Sequence, residues 1–292
     1  MNKHLTMRSG NPALQSSTFR KHMSAVTEGA MTLNGTVNKT GIGLLLIILS
    51  AGYTWGNPAL QSSAFTKHLS AVTEGTMTLS GTVNKTGIGL LLIILSAGYT
   101  WGNPAMHGMV IPAVIGGLIL AMVTIFKPTL GHITVPMYAV VEGIVLGVIS
   151  MIFEQMYPGI VIQAIFLTFG TLGALLLAYK SGLIKATENF KLGVVAATGG
   201  IAILYVINMI MGFFGSSIGV IHSNGMMGIL FSGFVVVIAA LNLVLDFDFI
   251  EEGVEMGAPK YMEWYGAFGL LVTLIWLYLE ILRLLAKLQS RR

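Results

Sequence analysis

The sequence has 292 residues, of which 54% are hydrophobic and 10% are charged, and its mean hydropathy is +0.81. A soluble domain carries about 25% charged residues, so the composition excludes a soluble globular domain and predicts a chain that crosses a bilayer several times. Cysteine is absent and the net charge is +4, which excludes disulfides and thiolate metal ligands and disfavours nucleic acid as a partner.

An internal repeat opens the chain. Residues 11–56 recur at 57–102 with five differences, which indicates a recent duplication or a gene-model error, because a solenoid needs at least ~3 units. The copies end in apolar runs, at 41–55 and 87–101, that are shorter than the ~20 residues of a full span. We assign 1–56 to the first copy, whose run is an extra span, an interfacial helix or a poorly placed segment. Residues 57–86 are the polar lead of the second copy, and 87–101 is the first helix of a bundle.

Six longer apolar runs follow, and each predicts a helix of membrane-spanning length. They lie at 109–126, 136–153, 160–179, 192–214, 225–246 and 262–285. With 87–101 they predict an all-α fold, a seven-helix transmembrane bundle over 87–288, followed by a basic tail at 289–292. Gly143 with Gly147, and Gly170 with Gly173, have the spacing that lets membrane helices approach closely.

The basic residues give conflicting information about orientation. Lys and Arg occur in the N-terminal lead, in the 180–191 link and in the tail, so the positive-inside rule predicts that all three are cytoplasmic. Four predicted crossings separate the first helix's lead from the link, which agrees with the rule. Three crossings separate the link from the tail, which does not, so the sequence leaves the side of the C-terminus open.

Two carboxylates interrupt the last two apolar runs. Asp246 closes the run at 225–246, and Glu280 lies within WLYLEILRLL. Ionisable groups at membrane depth are costly and usually mark function. We predict that Asp246 and Glu280 form a pair that shares a proton, because two close carboxylates cannot both ionise at low cost. Such a pair would also offer calcium the carboxylate oxygens that it prefers as ligands.

Three further residues are secondary candidates. Arg283 follows Glu280 by three residues on the same helical face, so it either pairs with Glu280 near the helix end or serves as a neighbouring counter-charge. Asp248 lies about 200° from Asp246 around a helix, so the two cannot face one partner. Glu142, within YAVVEGIVLG, is either a functional buried polar group or a packing contact.

Recognisable catalytic motifs are missing from the sequence. There is no phosphate-binding loop, no G-x-S-x-G and no H-E-x-x-H, and no histidine pair has metal-ligand spacing. We therefore expect no enzymatic activity and no cofactor, with calcium entering only as a transported ion.

The C-terminal stretch LVLDFDFIEEGVEMGAPKYMEWYGAFGLLVTLIWLYLEILRLL closely resembles the Bax inhibitor-1/YccA-like family of small membrane proteins. The resemblance covers residues 77–288 and includes MTLSGTVNKTG, YAVVEGIVLG and KLGVVAATGGI. It implies a seven-helix bundle with the last helix near its centre, and we expect a multi-pass protein of the bacterial inner membrane.

Studied relatives are described as pH-sensitive calcium leak channels gated by two acidic residues on the last two helices. By position these correspond to Asp246 in LDFDFI and to Glu280 in LYLEIL, where the channel-like relatives have Asp. Those relatives also use an arginine on an early helix, and no Arg or Lys stands deep in the early runs here. A bacterial branch resembles modulators of a membrane-bound protease, so the alternative function is an interaction protein that presents its polar lead to a partner without conducting ions.

Overall fold

The computed structural model describes residues 75–216, 218, 219, 223 and 225–291. Within them the chain forms seven α-helices and two short 3₁₀ helices, at Pro104–Met109 and Pro128–Leu130. The α-helices are α1 (Leu79–Trp101), α2 (Val110–Phe126), α3 (Gly131–Met156), α4 (Ile160–Lys180), α5 (Glu188–Phe213), α6 (Met226–Glu255) and α7 (Met262–Gln289). The first repeat copy, including the run at 41–55, lies outside the described residues.

Six of these helices are long and apolar enough to cross a membrane, and α2 is a shorter apolar helix of 17 residues. At 1.5 Å per residue, α2 is ~25 Å long, close to the thickness of a hydrocarbon core. The prediction of an all-α polytopic bundle is confirmed.

Helices that follow one another run in opposite directions. Gly143 and Gly147 of α3 lie against Ile93 and Ala97 of α1, so α1 and α3 are parallel. Gly266 of α7 lies against Ile250 of α6, whereas the other end of α7 meets the start of α6, so α6 and α7 are antiparallel. We call the side where α1 begins the lead side and the side where α7 ends the tail side.

The last helix is the centre of the bundle. It packs against α1, α3, α4 and α6. Of an apolar stretch of 18 residues in α7, 61% is buried, compared with 11% of the corresponding stretch in α5. Tyr265, Phe268, Leu271 and Leu277 of α7 are among the largest fully buried side chains. A helix that is apolar nearly all round satisfies its backbone internally and can be enclosed by neighbours at little cost.

Several helices are longer than the hydropathy predicted, and α1, α3 and α6 differ most. α1 begins at Leu79 rather than 87, because the Thr78 hydroxyl accepts from the amide of Gly81 and caps the helix. The Thr82 hydroxyl then bonds the carbonyl one turn back, which conceals its polarity. α6 continues to Glu255 rather than 246, so Asp248 lies on the helix.

The tail lies on the opposite side from the lead. Residues 75–78 contact the turn before α7, where the Met77 amide donates to the Ala258 carbonyl at 2.7 Å. At the other end of α7, Lys287 donates to the Gly228 carbonyl at the start of α6. The positive-inside rule therefore fails at one of these ends. Part of the reason is that Lys287, close to the tail, donates its hydrogen bonds inside the bundle.

The glycine prediction is confirmed for one pair and wrong for the other. A methyl group on Gly143 or Gly147 would lie 2.6 Å from a backbone carbonyl of α1, so these glycines permit close helix contact. A methyl group on Gly170 or Gly173 would meet nothing within 4 Å among the described residues. Both are on α4, whose outer face is open.

Candidate functional site

Asp246 lies deep inside the bundle. It stands nine residues before the end of α6, which is ~14 Å of helix, and it is fully buried. The polar side chain that interacts with its carboxyl group is Thr273 of α7. Within the described residues, no hydrogen bond of normal geometry reaches either carboxyl oxygen, and no basic side chain is beside it.

Glu280 is equally buried but has strong partners. Its side chain is 2% exposed, and both carboxylate oxygens accept from Arg283, at 2.8 and 2.9 Å. The Tyr205 hydroxyl of α5 donates to the same carboxylate at 3.0 Å. The Arg283 side chain, which is 40% exposed, also donates to Tyr205 at 2.8 Å. Glu280 and Arg283 are thus paired, and Tyr205 joins the pair to a second helix.

The structure does not place Asp246 and Glu280 in one hydrogen-bonded pair. Thr273, opposite Asp246, precedes Glu280 by seven residues on α7, which separates the two levels by ~10 Å along the helix axis. The expectation that the two carboxylates are direct neighbours is therefore corrected. Seven residues are close to two full turns, so Thr273, Glu280 and Lys287 share one face of α7.

This face forms a line of polar groups through the bundle, which we call the polar line: Asp246 with Thr273, then Glu280 with Arg283, then Lys287. Lys287 is 5% exposed and donates to the Ser232 hydroxyl at 2.8 Å and to the Gly228 carbonyl at 3.1 Å. The groups lie between α7 and the helices α5 and α6.

Asp248 faces away from Asp246, as its helical spacing predicted. It forms an ion pair with Lys191 of α5 at 2.5 Å and lies 3.4 Å from the hydroxyl of Tyr179 on α4. Lys191 is itself buried. Asp248 therefore links α4, α5 and α6 on the lead side and is not part of the polar line.

Glu142 is half-buried between α2 and α3. Its carboxyl group hydrogen-bonds Tyr138 one turn earlier and packs directly over Gly117 of α2. Tyr138 in turn makes an edge contact with Phe268 of α7, with ring centroids 5.1 Å apart. The packing interpretation of Glu142 accounts for these contacts.

Sequence reasoning missed an ion pair at the lead end of α7. Glu263 is 1% exposed and accepts from the Thr78 amide at 3.0 Å and from its hydroxyl at 2.8 Å. Lys85 of α1 completes the site as a salt-bridge partner. Lys85 lay in the predicted polar lead, and the available signal for Glu263 was its place as an acidic residue in the first turn of a predicted helix.

Calcium takes six to eight oxygen ligands, and the described residues include no group of three or more His, Cys, Asp or Glu side chains that could hold a metal ion. An ion on the polar line would meet one carboxylate at a time.

The fold and the buried polar line define a polytopic α-helical membrane protein with ionisable groups at membrane depth. A comparison with family models then gives a match to the family described as Bax inhibitor 1 like, over residues 57–290. The match covers most of the chain, and the chain belongs to this family. Comparison with curated proteins gave no match.

Proposed function

We propose that the protein is a cation leak channel, with calcium as its ion, whose conduction depends on the protonation of Asp246, and that Glu280 is a second carboxylate on the ion's path. The observation that carries the proposal is the burial of Asp246 without a cation beside it. A neutral carboxyl group suits such a dry site, whereas a carboxylate requires water or a cation. Loss of the Asp246 proton would therefore favour a hydrated conformation, and flux should rise with pH.

The polar line supports a path from Asp246 toward the tail side. Glu280 offers a second carboxylate ~10 Å further along α7, and in the described conformation Arg283 and Tyr205 occupy its oxygens. Arg283 takes the place of a cation at this level. Conduction would require Arg283 to move toward the solvent, which its 40% exposed side chain can reach.

Calcium flux into dye-loaded liposomes between about pH 6 and 8 tests this function. We expect wild-type flux to increase with pH and Asp246→Asn to show low, pH-independent flux, because an amide cannot ionise. Glu255→Gln is the matched control, since it removes one charge from an exposed position on the same helix and should conduct like the wild type. Equal flux in wild type and the Asp246→Asn, Glu280→Gln double variant would overturn the proposal.

The alternative proposal is an interaction protein of the bacterial inner membrane that modulates a membrane-bound protease. One contact favours it: residues 75–78 of the polar lead bond the turn before α7 on the lead side, so a partner of the lead would sit beside the bundle. Co-purification with a protease that depends on residues 57–74, together with zero ion flux, would support this alternative and reject the channel.

A further inference from the structure

An apolar crevice opens between α1 and α4 on the tail side. Its volume is about 470 Å³, within the range of ~300–1,000 Å³ that is typical of ligand pockets. The walls come from α1 and α4, and the floor from α3 and the central helix α7. Leu274 and Ile275 of that floor are 4% and 9% exposed, so the crevice reaches the bundle's core.

We propose that this crevice binds one acyl chain of a phospholipid from the tail-side leaflet. Its length agrees with this ligand, because the wall runs from Leu90 to Trp101, which is ~16 Å of helix, and half of a hydrocarbon core is ~15 Å. Trp101 lies at the outer end, where tryptophan commonly marks the membrane interface. The inner end then lies near the middle of the bilayer.

The chemistry of the lining favours hydrocarbon over a polar or charged ligand. Among the residues that the structure describes, no charged residue lines the crevice. The Ser150 and Tyr278 hydroxyls on its floor bond each other at 2.6 Å, and the Thr168 hydroxyl bonds the Ala164 carbonyl at 2.7 Å. These polar groups are satisfied within the protein and do not require a polar ligand.

The crevice is open toward the bilayer. Its rim residues Ile94, Phe169 and Ile165 are 56%, 41% and 36% exposed, and all lie on membrane-spanning helices. An empty crevice at this depth would leave its walls without dispersion contacts. A chain inside it would touch α7, unlike a lipid that only covers the outer surface.

The test uses a side chain that fills the crevice. A methyl group on Gly98, which lines the crevice, would meet no described atom within 4 Å, so Gly98→Phe adds bulk without a clash against the described backbone. Gly87→Phe is the matched control: it has the same open surroundings, lies on nearly the same face of α1 eleven residues earlier, and is outside the crevice. If Gly98→Phe fails to fold, Ile165→Trp fills the space from α4.

The measurement is retention of palmitoyl-oleoyl phosphatidylglycerol by delipidated protein in mild detergent, read by native mass spectrometry. We expect wild type and Gly87→Phe to retain it equally and Gly98→Phe to retain about tenfold less, because several methylene contacts are lost. Dihexanoyl phosphatidylglycerol, with the same headgroup and short chains, should bind none of the variants measurably. Equal retention by Gly98→Phe, no retention by wild type, or equal retention of the short-chain lipid would overturn the proposal.

Discussion

The surroundings of Asp246 and of Glu280 differ although both side chains are buried to almost the same extent. Glu280 is held by a guanidinium group and a tyrosine hydroxyl. Asp246 has Thr273 beside it and no basic side chain among the described residues. A buried charge is stable only when it is paired and hydrogen-bonded. The bundle therefore supports a fixed charge at the level of Glu280 and a change of charge at the level of Asp246.

Glu263 repeats the arrangement of Glu280 at the other end of α7. It is 1% exposed and meets Lys85 and both donors of Thr78. The two buried glutamates of α7 thus have cations, one from its own helix and one from α1, and Asp246 lies between their levels without one. Substitutions of Arg283, Lys85 and Asp246 should therefore differ in the size of their effect on stability.

The largest effect on stability should come from Arg283→Met. It leaves Glu280 buried without its cation, and breaking a buried ion pair costs about 3 kcal/mol in the free energy of unfolding. Chemical unfolding of detergent-solubilised protein measures this change. Adding Glu280→Gln should restore most of the loss, and Arg291→Met, at an exposed tail position, should change little. A double variant as unstable as Arg283→Met alone would show that the guanidinium acts through packing.

A smaller loss, about 2 kcal/mol, should follow from Lys85→Met, since Glu263 keeps the two hydrogen bonds from Thr78 when its cation is removed. The same unfolding measurement applies. Lys260→Met is the control, because Lys260 is exposed near the same site but its side chain forms no ion pair with Glu263 in the described structure. Equal losses in the two variants would mean that general charge near the lead side, rather than the pair, stabilises α7.

The smallest effect on stability should come from Asp246→Asn, within about 1 kcal/mol of wild type, because the amide has nearly the same shape as a neutral carboxyl group and introduces no buried charge. Thermal unfolding followed by light scattering, at the same detergent concentration as the other variants, measures the difference. A loss as large as that of Arg283→Met would contradict the contrast between the two levels and would indicate a cation near Asp246.

The sequence predicted the helical bundle and two of the three buried acids in the described residues of α6 and α7, because apolar runs and isolated carboxylates are visible in a single chain. It misplaced the start of α1 because the polarity of Thr82 and Lys85 is cancelled by contacts one turn back and on α7. It predicted a direct Asp246–Glu280 pair because helical periodicity gives the face of a residue but not its level against another helix. That level depends on how α6 and α7 are packed.

The central helix is fastened at both of its ends. Glu263 is bonded to Thr78 at the beginning of α7, and Lys287 is bonded to Gly228 and Ser232 near its end. A piston-like sliding of α7 along its axis would break both attachments together. Rotation or bending of the stretch between these anchors would preserve them, and this stretch contains Thr273 and Glu280. A local twist of α7 is therefore less costly for this bundle than a rigid shift of the helix along its axis.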